Sequence, residues 1–195
     1  GGGRPIAVGE LLRRLTAKCR MHEVTVDAQN YFWPAQAGVA VKAGAEAAVH
    51  ALRAWVGRHA ASSDSVVVKI DFKNAFNTIS RDVVLREARE HFPSLARWAT
   101  WCYQRPRNLQ FDKVNQQSST GVQQGDPLGP LLFAAGVQPL AGGLRASPVD
   151  FTSFYLDDGV LAGSVDCVAT ALAQLQQASA TIGLSLNLTK SEAIA

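Results

Sequence analysis

Hydrophobic and polar positions alternate between two periods along the chain. Near the start, Leu11, Leu12 and Leu15 separate from Arg13, Arg14 and Lys18 at helical spacing, which predicts a basic amphipathic helix after the loop Gly3-Arg4-Pro5-Ile6-Ala7-Val8. Residues 24–42 are mixed, with Tyr31, Phe32 and Trp33 ahead of the breaker Pro34. Ala45, Ala48, Val49, Leu52, Trp55 and Val56 then predict a one-sided helix from Gly44 to about Arg58. The polar loop Ala61-Ser62-Ser63-Asp64-Ser65 is the best place for a boundary, so residues 1–62 and 63–195 are expected to be two subdomains.

Beyond it, Val66-Val67-Val68-Lys69-Ile70-Asp71-Phe72 is a β-branched run that ends on an acid, the pattern of a buried strand delivering Asp71 to a sheet edge. Ser80 is placed to cap a helix reaching about His91, and a second helix from Ser94 to about Tyr103 carries Leu95, Trp98 and Cys102 on one side. Residues 108–122 suit a hairpin or loop. Asp126 and Pro127 have the types of an N-cap and first helical residue for a helix through Leu131, Leu132, Phe133 and Val137. Strand formers on either side of Asp157-Asp158-Gly159 predict a tight hairpin with the acids at its tip. Asp166 is placed to cap a helix carrying Val168, Leu172, Leu175 and Ile182, Gly183 to end it, and Leu184, Leu186 and Leu188 to alternate as a last strand. This order predicts an α+β fold, with helices on one face of an antiparallel sheet.

Composition changes the picture little. The 195 residues, 47% hydrophobic and 18% charged, describe a globular chain with room for one sizeable core. A net charge of +3 does not by itself imply a polyanionic partner, although five basic residues crowd the first twenty positions. Cys19, Cys102 and Cys167 are odd in number and far apart, which argues against a disulfide framework or zinc site and fits an intracellular, reducing setting. No apolar run reaches membrane-spanning length, and no membrane partner is expected. The opening Gly1-Gly2-Gly3, without an initiator Met, reads as a piece of a longer protein.

The chemistry lies in the acids. If the strand ending at Asp71 neighbours the Asp157-Asp158 hairpin, three carboxylates meet at one sheet edge. Such hard oxygen ligands suit Mg²⁺, which is held by one or two carboxylates together with substrate phosphates. Two such ions about 3.5–4 Å apart can clamp the attacking and leaving oxygens of a phosphoryl displacement. A solvated turn at 157–159 and a capping or ion-paired acid at 71 are the alternatives.

Taken together, the motifs resemble those of the reverse transcriptases. Asp71-Phe72-Lys73-Asn74-Ala75-Phe76 is similar to polymerase motif A, and Gln123-Gln124-Gly125-Asp126-Pro127-Leu128-Gly129 to motif B. Tyr155-Leu156-Asp157-Asp158 resembles motif C, and the stretch from Gly183 to Glu192 resembles motif D. Gly3-Arg4-Pro5-Ile6 and the basic helix resemble the fingers of non-LTR, LINE-like retrotransposon enzymes. The resemblance implies a right-hand palm at 63–195, partial fingers at 1–62, and no thumb.

It also implies roles. Asp71, Asp157 and Asp158 match the metal-binding triad, with Asp71 and Asp157 the direct ligands and the backbone carbonyl of Phe72 a further one. Two Mg²⁺ ions are implied, with Mn²⁺ as the substitute. Lys190 matches a lysine that protonates the leaving pyrophosphate. Arg4, Phe76, Gln124, Gly125 and Tyr155 fall on the nucleotide side, Arg4 at the triphosphate. A ring at position 76 leaves no room beneath the sugar for a 2′-hydroxyl, so deoxynucleotides are favoured. The implied partners are an RNA template, a DNA primer and dNTPs. Two other readings stay open: an RNA-dependent RNA polymerase, and a relic module that binds nucleic acid without catalysis. Asn77 stands where many relatives carry a second acid, and this chain alone is expected to be weakly active or inactive.

Overall fold

The computed structural model describes residues 9–111 and 114–195. Three helices come first: α1 (Leu11–Glu23), α2 (Thr25–Phe32) and α3 (Gly44–His59). The run of β-branched residues forms β1 (Ser65–Ile70), and Asp71 follows immediately. Next come the short α4 (Ala75–Thr78), then α5 (Arg81–His91) and α6 (Pro93–Tyr103), then a hairpin of β2 (Arg107–Phe111) and β3 (Val114–Ser118). The remainder is α7 (Gly129–Arg145), β4 (Phe151–Tyr155), β5 (Asp158–Ser164), α8 (Val165–Thr181) and β6 (Glu192–Ile194).

The main sheet is antiparallel, in the order β4-β5-β1-β6. β1 lies inside it, paired to β5 from Ser65↔Ser164 to Ile70↔Gly159. One core cluster joins the sheet residues Val66, Val68, Ile70, Phe154 and Leu161 to α5, α6, α7 and α8. Ala17, Ala28 and Phe32 from α1 and α2 belong to the same cluster. The expected antiparallel α+β fold is therefore observed. Among the described residues no helix is long and apolar enough to cross a membrane.

Several local expectations are corrected. The three leucines of α1 face outward, with Leu11, Leu12 and Leu15 at 76%, 66% and 56% exposure. The inward side is Ala17, flanked by a half-buried Arg13 whose charge is satisfied by a buried acid. α7 begins at Gly129, not at Pro127. Asp126 sits before it and accepts the Leu128 N–H on Oδ1 at 3.0 Å, an Asx-type turn. Ser164, not Asp166, caps α8, its hydroxyl accepting from the Cys167 N–H. The alternating leucines at 184–188 make one isolated bridge, Phe72↔Leu186, and the last strand is β6. Residues 24–42 contain α2, which their mixed pattern concealed.

Candidate active site

β1 and the β4–β5 hairpin deliver the acids to one end of the sheet. The ladder between β1 and β5 closes at Ile70↔Gly159, so Asp71 and Asp158 are the next residue on each strand. The hairpin turn is Leu156-Asp157, between the paired Tyr155 and Asp158. The tip therefore lies one residue earlier than expected, with Gly159 already inside the ladder. Asp71 and Asp157 are half-buried and Asp158 is exposed. Among the described residues the three carboxylates do not converge within 4.8 Å of one another.

Asp71 is held from the C-terminal side. Its Oδ2 accepts the Asn187 Nδ2–H at 2.7 Å, its carbonyl accepts the Asn187 N–H at 2.8 Å, and its N–H donates to Ser191 Oγ at 3.2 Å. Residues 187–191 form a turn, with the N–H groups of Lys190 and Ser191 both donating to the Asn187 carbonyl. Lys190 is thus tied to Asp71 through Asn187, and its side chain is exposed. The Phe72 side chain is buried, and its backbone forms an isolated antiparallel bridge with Leu186.

Facing the hairpin is a cleft of about 410 Å³, lined by Phe76, Gln123, Gln124, Gly125, Asp126 and Asp157 among others. The cleft brings motif B residues together with Asp157 and Phe76. The Phe76 ring stacks on Phe133 of α7, with centroids 4.3 Å apart and planes 11° apart, so it forms a fixed wall. Gly125 has φ +104°, which a side chain would resist. Tyr155 ends β4 at 45% exposure and does not line that cleft. Arg4 lies outside the described residues.

The cleft floor rests on a buried charge network. Asp126 Oδ2 accepts from Arg13 Nη2 at 2.9 Å and from the Tyr103 hydroxyl at 2.8 Å, and Arg13 Nη2 also reaches Gln123 Oε1 at 3.3 Å. The Gln123 N–H donates to the Tyr103 hydroxyl at 3.3 Å. Burial pushes the Tyr103 phenol well above its ordinary range, and the Asp126 charge pushes it further. Burial by itself lowers Arg13, but the hydrogen bond to Asp126 and the neighbouring Cys102, Asp126 and Tyr103 together outweigh it and leave the guanidinium raised.

Three features escaped the sequence reading. Arg13 lies on the polar side of the helix pattern, and only the folded chain brings it to Asp126. Asn187 sat inside motif D without a role. Gln36 carried no periodic signal at all. It is fully buried, and its amide meets the hairpin turn twice: Leu156 N–H donates to Oε1 at 2.8 Å, and Nε2–H donates to the Leu156 carbonyl at 3.2 Å. Residues 35–37 run beside β4 through Phe154 N–H to Ala35 O at 2.9 Å and Ala37 N–H to Phe154 O at 2.7 Å.

Comparison with solved structures gives the same architecture. The telomerase of Candida albicans, in complex with a TWJ fragment of telomeric RNA, superposes with a TM-score of 0.63 at 11% identity, over 95% of this chain and 34% of that one. The apo telomerase of Candida tropicalis superposes with a TM-score of 0.64 at 9% identity, over 96% of this chain and 37% of that one. The chain thus spans about a third of the length of these structural neighbours. No curated protein sequence matches it. The family model described as reverse transcriptase (RNA-dependent DNA polymerase) matches residues 2–195, and the chain belongs to that family.

Proposed function

We propose that the chain supplies the palm, at 63–195, and part of the fingers, at 1–62, of an RNA-directed DNA polymerase from a retroelement of the non-LTR type. The observation that carries this reading is the register of β1 on β5. It sets Asp71 beside the Asp157-Asp158 hairpin, across from the cleft that holds Phe76, Gln124 and Gly125.

The donor set fits a divalent metal. Asp71 and Asp158 ion-pair with no basic side chain among the described residues, and Asp71 spends one oxygen on a neutral amide. Asp71, Asp157 and the Phe72 carbonyl would hold two Mg²⁺ ions, with Asp158 nearby. Bound there, the ions would neutralise charge developing on the attacking and leaving oxygens. The chain's own residues do the rest. Phe76, braced by Phe133, excludes a 2′-hydroxyl. Gln124 and Gly125 seat the nucleotide, Arg4 meets its phosphates, and Lys190 donates a proton to the departing pyrophosphate.

Primer extension on an RNA template tests the reading. We expect dNTPs to be incorporated over rNTPs, and Asp157→Asn to abolish the signal. Preference for rNTPs, or full activity in Asp157→Asn, overturns it. A second readout needs no turnover: Mn²⁺ should broaden the amide resonances of Asp71 and Asp157, and the doubly neutralised Asp71→Asn, Asp157→Asn chain should lose that effect.

An RNA partner is supported by a separate surface. Trp101, 55% exposed, stacks on Trp98 at 4.9 Å, and the Arg107 guanidinium lies 5.2 Å from its ring centre. The clefts beside Trp101 are lined by Arg20, Arg97, Arg105 and Arg107, with no acid in either lining among the described residues. Aromatic faces interleaved with arginines suit an unpaired strand. Trp101→Ala should weaken binding of a short single-stranded RNA about tenfold by fluorescence anisotropy, in line with the roughly 1–3 kcal/mol a stacked base contributes.

A further inference from the structure

We infer that Gln36 is a positioning residue: its buried side-chain amide latches the Leu156-Asp157 turn in the one backbone shape that presents Asp157 to the cleft. The inference rests on the reading of Asp157 as a metal-holding carboxylate.

The turn needs a latch because of the residue in it. Leu156, the first of the two turn residues, has φ +57°. Two-residue hairpin turns with a positive φ at that position prefer glycine, and a branched side chain there is strained. Left to itself, a leucine there relaxes toward negative φ and swings the next residue. That next residue is Asp157.

Gln36 opposes the relaxation on both sides of Leu156. Its Oε1 receives the Leu156 N–H and its Nε2–H reaches the Leu156 carbonyl, so rotation of either peptide group breaks a buried bond. Oε1 also accepts the Gly38 N–H at 2.9 Å, which fixes the amide's own orientation. The approach depends on Gly38, since a Cβ at that position would lie 2.7 Å from the Leu156 nitrogen. Below the turn, Gln36 bridges Phe154 in parallel, so the latch is mounted on the strand it controls. A buried glutamine could satisfy its groups anywhere. This one directs both amide ends to a single strained residue next to a catalytic acid.

The test compares four forms of the chain: wild type, Gln36→Met, Leu156→Gly, and the double variant. Methionine keeps the volume and removes both polar atoms. Glycine takes φ +57° without a latch. One readout is amide hydrogen exchange at residue 156, and the other is Mn²⁺ affinity measured by broadening at Asp157. Gln36→Met is expected to expose the Leu156 amide about a hundredfold and to weaken Mn²⁺ at least tenfold. The double variant is expected to bind Mn²⁺ within about threefold of wild type, a rescue that a purely structural role for Gln36 does not produce.

Unchanged exchange at Leu156 in Gln36→Met overturns the latch. A loss of Mn²⁺ affinity that Leu156→Gly leaves uncorrected overturns the positioning role. If wild type itself binds no Mn²⁺ at Asp157, the metal reading fails, and positioning of a metal ligand fails with it. The exchange data then report separately whether the latch exists.

Discussion

Asp126 gathers Arg13, Tyr103 and the Leu128 N–H on two oxygens in an almost dry setting. Breaking such a buried pair leaves an uncompensated charge, so Asp126→Asn should cost about 3 kcal/mol, read as a lower urea midpoint. Tyr103 adds a pH signature. Its folded pKa is raised, so the folded state holds that proton more tightly than the unfolded state. The stability it contributes is complete below the unfolded phenol's pKa of about 10 and is lost as pH rises past it. Tyr31, raised by burial and then by Glu87, acts in the same direction. The urea midpoint should therefore fall more steeply between about pH 9 and pH 11 in wild type than in Tyr103→Phe. The placement of Asp71 beside the Asp157-Asp158 hairpin was legible in the sequence because strand patterns lead into both, whereas Phe76 was singled out only through the resemblance. Arg13 and Gln36 were not legible, because their meaning comes from partners 113 and 120 residues away.

Among the elements, strands and helices with strong periods were read correctly. β1, α5 and α6 fall within a few residues of expectation, because each buries a regular apolar face; α3 also matches its expected range, although of its predicted apolar positions only Trp55 is buried. α1 was found but turned over: three leucines outweighed a single alanine in the pattern, yet it is Ala17 that the core accepts. The run at 184–188 alternates like a strand, but its neighbour β1 has already ended, so only one bridge forms. The first residue of α3 gives an element-level test. A Cβ on Gly44 would lie 2.1 Å from the Ala37 carbonyl oxygen, which is backbone and has little room to yield. Gly44→Ala should push residues 35–38 away from the hairpin and cost about 2 kcal/mol in urea denaturation. Exchange at the Leu156 amide should rise with it, although Leu156 lies far from the substitution in sequence.

At the scale of the whole molecule, the antiparallel layer with its helices was legible because the order of strong elements admits few arrangements. The grip on Asp71 from residues 187–191 was not, since it consists of the Asn187 side-chain amide, the Asn187 N–H and the Ser191 hydroxyl in an irregular turn. Asn187→Ala should remove a charge-assisted bond worth about 2 kcal/mol and loosen Asp71, visible as side-chain broadening in NMR spectra. The same grip sets an order of events during synthesis. A chain emerging from the ribosome offers Asp71 to solvent long before Asn187 and Ser191 exist, although β1 and its helices can already begin to collapse. The acid therefore waits for partners made more than a hundred residues later. A message cut short a few codons before 187 would leave a chain that has most of its core but an untethered acid.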